Sequence, residues 1–431
     1  MKFRWETEFK ETEIGEIPRE WEVSKIGIFY KLKYGITATS SEFGNCRLLR
    51  QTDLKEGMID ISSVPYSEVS EDKIQKYLLK EDDLVISRIA NVGSIGYVNF
   101  ETLNSFDKPL IFGSYLLKFE KIKEIHNKFT FYFLLSPQIQ DYIKSTADGS
   151  TRQNTNAKVV AEFPLYVPSL PEQSRIATVL SWFDDLIEVK KRQNEILEKT
   201  AMAIFKSWFI DFEPFRDGEF VYSEELGKEI PKGWEVRRLG ELAEFTNGLS
   251  YTGREKYEEP IDDGMVFITL NNILRGGGFK TEYSWIKSER IKEHQTLNEG
   301  DLIIANTDIT QEAKVIGSPA IVVFPSGYKG KGVYSHHVTK ITFKLERLKF
   351  FLYSYLKITQ DENATFSTGT NVLGLDIDNF KRNKIVILPP SHILQSFHSL
   401  VEPLFQKIIL NQKQIMTLRK IRDTLLLACI W

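Results

Sequence analysis

The chain opens the same way twice. Gly15-Glu16-Ile17-Pro18-Arg19-Glu20-Trp21-Glu22-Val23 begins one half, and Gly227-Lys228-Glu229-Ile230-Pro231-Lys232-Gly233-Trp234-Glu235-Val236 begins the other. The step from Trp21 to Trp234 equals the step from Gly27 to Gly240. It is far longer than the roughly 20–50 residues of a solenoid unit. The repeat is therefore a duplicated domain, and its copies are expected to be related by a pseudo-two-fold axis. Such a pair suits a target with two halves of its own, of which duplex DNA is the commonest.

The chain has 431 residues, room for two or three domains. Hydrophobic residues make up 42% and aromatics 12%, enough for packed cores and against wholesale disorder. The net charge of −3 speaks against a globally basic DNA binder but leaves room for local basic faces. Two cysteines without paired spacing, Cys46 and Cys429, make a disulfide framework or a zinc site a poor reading. The charged start, Met1-Lys2-Phe3-Arg4-Trp5-Glu6, is unlike a signal peptide, and no stretch is apolar enough to span a bilayer. A soluble, cytoplasmic protein with no membrane contact is expected.

Both halves have the same order of parts. Short apolar strands are predicted at Asp83–Ser87, Tyr115–Phe119 and Phe163–Val167, with counterparts at Asp301–Ala305, Val338–Phe343 and Ile385–Leu388. Short helices are predicted near Phe129–Leu135 and Leu348–Leu356. Polar loops follow at Gly149–Asn154 and Ser367–Asn371, and each half ends in prolines, at Pro168–Pro171 and at Pro389-Pro390.

After the prolines the period changes. Ile176, Leu180, Phe183, Ile187, Lys190, Asn194, Leu197, Ala201, Ile204 and Trp208 alternate by fours and threes. So do Phe397, Val401, Leu404, Ile408, Asn411, Ile415, Leu418, Arg422, Leu425 and Cys429. These are coiled-coil seams with polar interruptions. About 37 residues make a helix of roughly 55 Å, too long to stand alone with one apolar stripe. The two are expected to pair antiparallel. The competing expectation is that each packs only on its own domain. Trp182, Trp208, Phe209 and Trp431 add apolar surface that is partly left for a partner.

Two β-rich domains, each opened by Ile-Pro-x-x-Trp-Glu-Val and closed by prolines and a long helix, resemble the specificity subunit of type I restriction–modification systems. Leu170-Pro171-Glu172-Gln173 before Ile176 and Leu180 is similar to that family's strand-to-helix junction, while Pro389-Pro390-Ser391-His392 lacks the Pro-Glu-Gln triplet. The resemblance implies an α+β fold, with two target-recognition domains joined by two long antiparallel coiled-coil helices in a pseudo-two-fold repeat. It divides the chain into an N-terminal segment (1–20), a first recognition domain (21–167) and a central spacer helix (168–213). A linker (214–233), a second recognition domain (234–388) and a C-terminal spacer helix (389–431) complete it. It further implies a bipartite double-stranded DNA target whose unread gap, on the order of 16 base pairs, is set by the coil. The implied partners are two methyltransferase subunits and restriction subunits. S-adenosylmethionine, ATP and magnesium are expected on those partners, with no cofactor, no metal and no catalysis in this chain.

Neither an Asn-Pro-Pro-Tyr/Phe motif nor a phosphate loop occurs. Asp301 with Glu312-Ala313-Lys314 mimics the carboxylate–lysine triad of metal-dependent nucleases, which makes a stand-alone nuclease one rival reading. A protein-only coiled-coil scaffold is the other. Adjacent His336 and His337 cannot share one strand face, so they make a poor metal pair. DNA contacts require Arg, Lys, Asn or Gln on loops between strands. The candidates are Arg47, Arg50, Gln51, Arg88, Asn91, Arg152, Gln153 and Asn154 in the first half. In the second they are Asn271, Asn272, Arg275, Lys280, Asn306, Lys314, Lys329 and Lys331, several beside glycines that permit close backbone approach.

Overall fold

The repeated signature folds the same way in both halves of the computed structural model, which describes residues 8–13, 15–55, 57–147, 155–308, 313–369 and 372–430. In each half a two-stranded hairpin, Phe9–Thr12 with Gly15–Pro18 or Phe220–Ser223 with Lys228–Pro231, leads into the motif. A turn then forms, with Trp21 N–H donating to the Pro18 carbonyl (3.0 Å) and Trp234 N–H to the Pro231 carbonyl (3.1 Å). The turn drives both indoles inward, where Trp21 and Trp234 are buried with Ile17 and Ile230. The following strand, Glu22–Lys25 or Glu235–Arg238, pairs antiparallel with the last strand of its half, Pro164–Val167 or Ile385–Leu388. Gly27 and Gly240 recur because a Cβ on either would lie 3.0 Å from Ala161 Cβ or 3.1 Å from Lys381 Cβ on the helix packed across it.

The chain divides into two compact units. The first comprises the chain up to Asp185 together with the stretch from Arg419 onward; the second is Leu186–Leu418. In the first unit, Ile95–Tyr97, Leu84–Ser87, Leu116–Lys121 and Tyr30–Tyr34 form an antiparallel sheet in that order. A smaller sheet holds Leu110–Phe112 parallel to Cys46–Leu49, and Tyr66–Ser67 antiparallel to the latter. The second unit repeats the four-stranded sheet as Ala243–Asn247, Val338–Phe343, Leu302–Ala305 and Pro319–Ile321. A second sheet of this unit has five strands, again with one parallel pair, Met265–Ile268 with Gly332–Tyr334, and a three-stranded sheet joins Thr307–Asp308, Leu373–Leu375 and Ser367–Thr368. A helix lies in each core, Asn127–Leu135 or Leu348–Ile358. Each is apolar on nearly every side, as a helix enclosed by its own domain must be. The two units thus have an α+β fold, each a repeat of the other.

Two helices of 40 residues each, Leu170–Phe209 and Ser391–Ile430, follow the proline clusters. At 1.5 Å per residue each is about 60 Å long. Within the second unit Phe209 meets Phe397, with ring centroids 4.9 Å apart, and Asn411 Nδ2 donates to Asn194 Oδ1 at 2.9 Å. Within the first unit Arg422 Nη1 donates to Asp184 Oδ1 at 2.7 Å, and Leu426 is buried in the core that holds Ile176 and Leu180. One residue number falls as the other rises, so the helices run antiparallel against each other. Their ends also join the cores of the units, which is why Phe205, Phe209 and Phe405 are buried although all three lie off the heptad stripe. Of the apolar extras, Phe209 is therefore core, Trp182 is 59% exposed, and Trp431 lies outside the described residues.

Candidate nucleic-acid interface

The repeat is most exact where the two sheets of each unit meet. A strand of the sheet that holds the parallel pair (Leu110–Phe112 or Gly332–Tyr334) passes through a short crossover into an inner strand of the four-stranded sheet (Leu116–Lys121 or Val338–Phe343). Gly35 and Gly248 let another chain segment close against it: a Cβ on either would stand 2.3 Å from the carbonyl oxygen of Gly113 or of Ser335. Equivalent main-chain bonds pin both crossovers. Ile36 N–H donates to the Phe112 carbonyl (3.0 Å), as Leu249 does to Tyr334 (2.7 Å). Ser114 N–H donates to Ile36 (2.7 Å), as His336 does to Leu249 (3.0 Å). Arg88 N–H donates to Tyr115 (3.0 Å), as Asn306 does to His337 (3.1 Å). Thr155 N–H donates to Arg88 (2.8 Å), as Leu375 does to Asn306 (2.7 Å).

The side chains on this common frame differ. In the first unit Tyr34 and Tyr115 are nearly half exposed, and the Arg88 guanidinium lies 5.3 Å from the Tyr34 ring centre. In the second unit Asn247 and His336 are exposed, the His336 and His337 rings lie 3.9 Å apart, and Thr307 Oγ1 is 3.0 Å from His337 Nδ1. His337 is held below the ordinary imidazole value by burial and by its neighbour His336. Cation, phenol, imidazole and amide at the ends of pinned strands form a surface able to present hydrogen-bond donors and acceptors to base edges and phosphates.

The structure sorts the candidate residues into several groups. Asn272 and Asn306 are corrected: both are buried. Asn272 caps a tight turn, accepting from Thr269 N–H (2.8 Å) and donating to the carbonyls of Lys280 (3.1 Å) and Glu282. Asn306 donates to the His336 carbonyl (2.9 Å) and Thr339 Oγ1 (3.0 Å). Arg47 is in a strand, not a loop. It donates to Asp107, the Val64 carbonyl and the Tyr66 hydroxyl, with its guanidinium 3.6 Å from the Tyr66 ring centre. Arg50 holds Asp53 and the Ser63 carbonyl, and Gln51 is half-buried in the turn between them. Lys280 pairs with Glu282 (2.7 Å) and Lys331 with Glu293.

Asn91, Asn271, Arg275, Lys314 and Lys329 are exposed, and Arg88 is half-buried at the crossover. Arg152, Gln153, Asn154 and Glu312 lie outside the described residues. Asp301 pairs with Lys340 (2.7 Å) and accepts from Asn298 N–H (2.8 Å), a structural role. Among the described residues no group of three or more His, Cys, Asp or Glu is placed to hold a metal ion. Tyr34, Tyr115 and Asn247 at this surface were not among the candidates drawn from the sequence. For Tyr34 and Asn247 a signal lay in the repeat, where Tyr34-Gly35-Ile36 aligns with Asn247-Gly248-Leu249.

The type I restriction modification DNA specificity domain matches this chain twice, over residues 18–199 and 231–420. The chain belongs to this family. It is 36% identical to the MjaIX specificity subunit of Methanocaldococcus jannaschii, over 99% of this chain and 96% of that protein. To the MjaVIII specificity subunit of the same organism it is 25% identical, over 83% and 79%. The crystal structure of a type I S subunit from M. genitalium shares the fold, with a TM-score of 0.54 at 17% identity over 95% and 96% of the two chains. As a type I specificity subunit, the chain carries two DNA-recognition domains, each holding one copy of the pinned crossover.

Proposed function

We propose that each unit of this specificity subunit reads one half of a bipartite DNA site through the surface around its pinned crossover, and that the paired helices set the unread gap. The observation that carries this reading is one hydrogen-bond frame, built twice, bearing different exposed side chains. Equal frames give equal docking, and unequal side chains give two different half-sites. The exposed Asn91, Asn271, Arg275, Lys314 and Lys329 supply further base or phosphate contacts. Two methyltransferase subunits dock on the duplicated frame, and restriction subunits join them. S-adenosylmethionine, ATP and magnesium act on those partners, and this chain contributes recognition without catalysis.

The test is selection from randomised duplex DNA by the chain assembled with its methyltransferase subunit. Two short sequence blocks at one fixed separation are expected. DNA cleavage by the chain and magnesium alone would favour the nuclease. An assembly with no sequence preference would favour the scaffold.

A further inference from the structure

The two crossover tips share a feature that their main-chain bonds do not require. The carbonyl of Ser114 accepts from Arg88 Nε at 2.9 Å, and the carbonyl of the equivalent His336 accepts from Asn306 Nδ2 at 2.9 Å. Two unlike side chains at one position of the repeat make one and the same bond. That position therefore needs a donor aimed at the tip carbonyl, and either residue type meets the need. Asn306 is 8% exposed and gives its other amide hydrogen to Thr339 Oγ1, so it offers no edge to a base. The side chains of the tips themselves do reach solvent. Tyr115 is 48% exposed and His336 is exposed. The plane of His337 is preset by Thr307 through Nδ1.

We infer that the dipeptides Ser114-Tyr115 and His336-His337 discriminate bases in the first and second half-sites, and that Arg88 and Asn306 are their positioning residues. This rests on the reading of the chain as a two-half-site DNA specificity subunit and names the residues that carry it out. A phenol and a neutral imidazole each bring one donor and one acceptor on a rigid ring. Such groups tell one base edge from another, whereas a lysine adds affinity for any phosphate. With Nδ1 held by Thr307, His337 keeps Nε2 for a base, and the tautomer that this bond selects decides whether Nε2 donates or accepts. Burial lowers the titration of the ring and so favours its neutral form. A preset ring also loses little conformational entropy on binding.

The experiment uses the chain assembled with its methyltransferase subunit and the duplex chosen from randomised DNA. Relative affinity is measured for every single-base change in both half-sites. His336→Ala and His337→Ala are expected to cost about tenfold in discrimination at one or more positions of the second half-site and nothing in the first. Tyr115→Ala is expected to do the reverse. Asn306→Asp keeps the shape and removes both donors. It is expected to reproduce the second-half loss and to add little on top of the double histidine variant, because it acts through the same tip.

A loss spread evenly over all sequences would overturn the inference, since a merely structural role predicts that. Unchanged discrimination in all the tip variants would also overturn it. Should Asn306→Asp fail to fold, the exposed tip residues still decide the matter. A parent assembly with no bipartite preference would instead remove the functional reading, and the inference with it.

Discussion

The first unit reaches its tip carbonyl with an arginine that also lies against Tyr34; the second does so with a buried asparagine beside two histidines. Around these differences the main chain is the same, down to the glycine that lets Gly113 or Ser335 approach. The units differ as well in bulk, since the sheet with the parallel pair has three strands in the first and five in the second, which also carries a loop in which Gly276, Gly277 and Gly278 all take positive φ. Duplication has thus preserved the main-chain frame and let diverge the side chains it carries, including Arg88 and Asn306, which make the same bond. A protein that reads two unlike half-sites with one docking mode requires that division.

If each unit has its own core, damage to one should spare the other. Phe209 is 3% exposed and touches Trp234, Phe351 and Phe397. Phe209→Ala is expected to cost about 3–5 kcal/mol in the second unit, read as a separated first step in chemical denaturation. One transition shifted as a whole would break the comparison. A smaller effect contrasts the polar interruptions of the helix pair. The first unit uses an ion pair, Asp184–Arg422, in which Asp184 also accepts from the Tyr132 hydroxyl (2.6 Å); the second uses the amides Asn194 and Asn411. Arg422→Leu is expected to destabilise the first unit by about 1–3 kcal/mol, since it strands a partly buried carboxylate. Added salt should shrink this effect and leave that of Asn411→Ala unchanged.

The smallest effect is on pH. Burial depresses His126 in the first unit and His337 in the second, both from an ordinary 6.5. A histidine kept neutral by folding contributes stability that is present above its unfolded value and lost as pH falls through the lowered one. Stability should therefore decline on acidification in both units. His126→Asn, which keeps a cap acceptor for the helix Asn127–Leu135, should flatten the decline in the first unit only.

The sequence revealed what depends on neighbouring residues. The strands Val338–Phe343 and Ile385–Leu388, both helices of the core and the antiparallel pair after the prolines were all legible as local periodicity. The C-terminal helix begins at Ser391, directly after the prolines and two residues inside the expected 389–431, although that junction lacks the Pro-Glu-Gln triplet. The site was harder because residue type was taken for role. Asn306 is a natural base reader by chemistry, yet its partners His336 and Thr339 are thirty and more residues away and bury it. Arg47 is held by Asp107 and Tyr66 in the same way. Asn272 could have been foreseen as a cap, since Thr269-x-x-Asn272 is a local turn pattern.

The central claim is that two independent readers share one docking frame. It is tested most directly by replacing residues 21–167 with the matching segment of another specificity subunit and determining the site selected by the assembled enzyme. The account predicts one new half-site, with the other half-site and the gap unchanged. A change in both half-sites would contradict it.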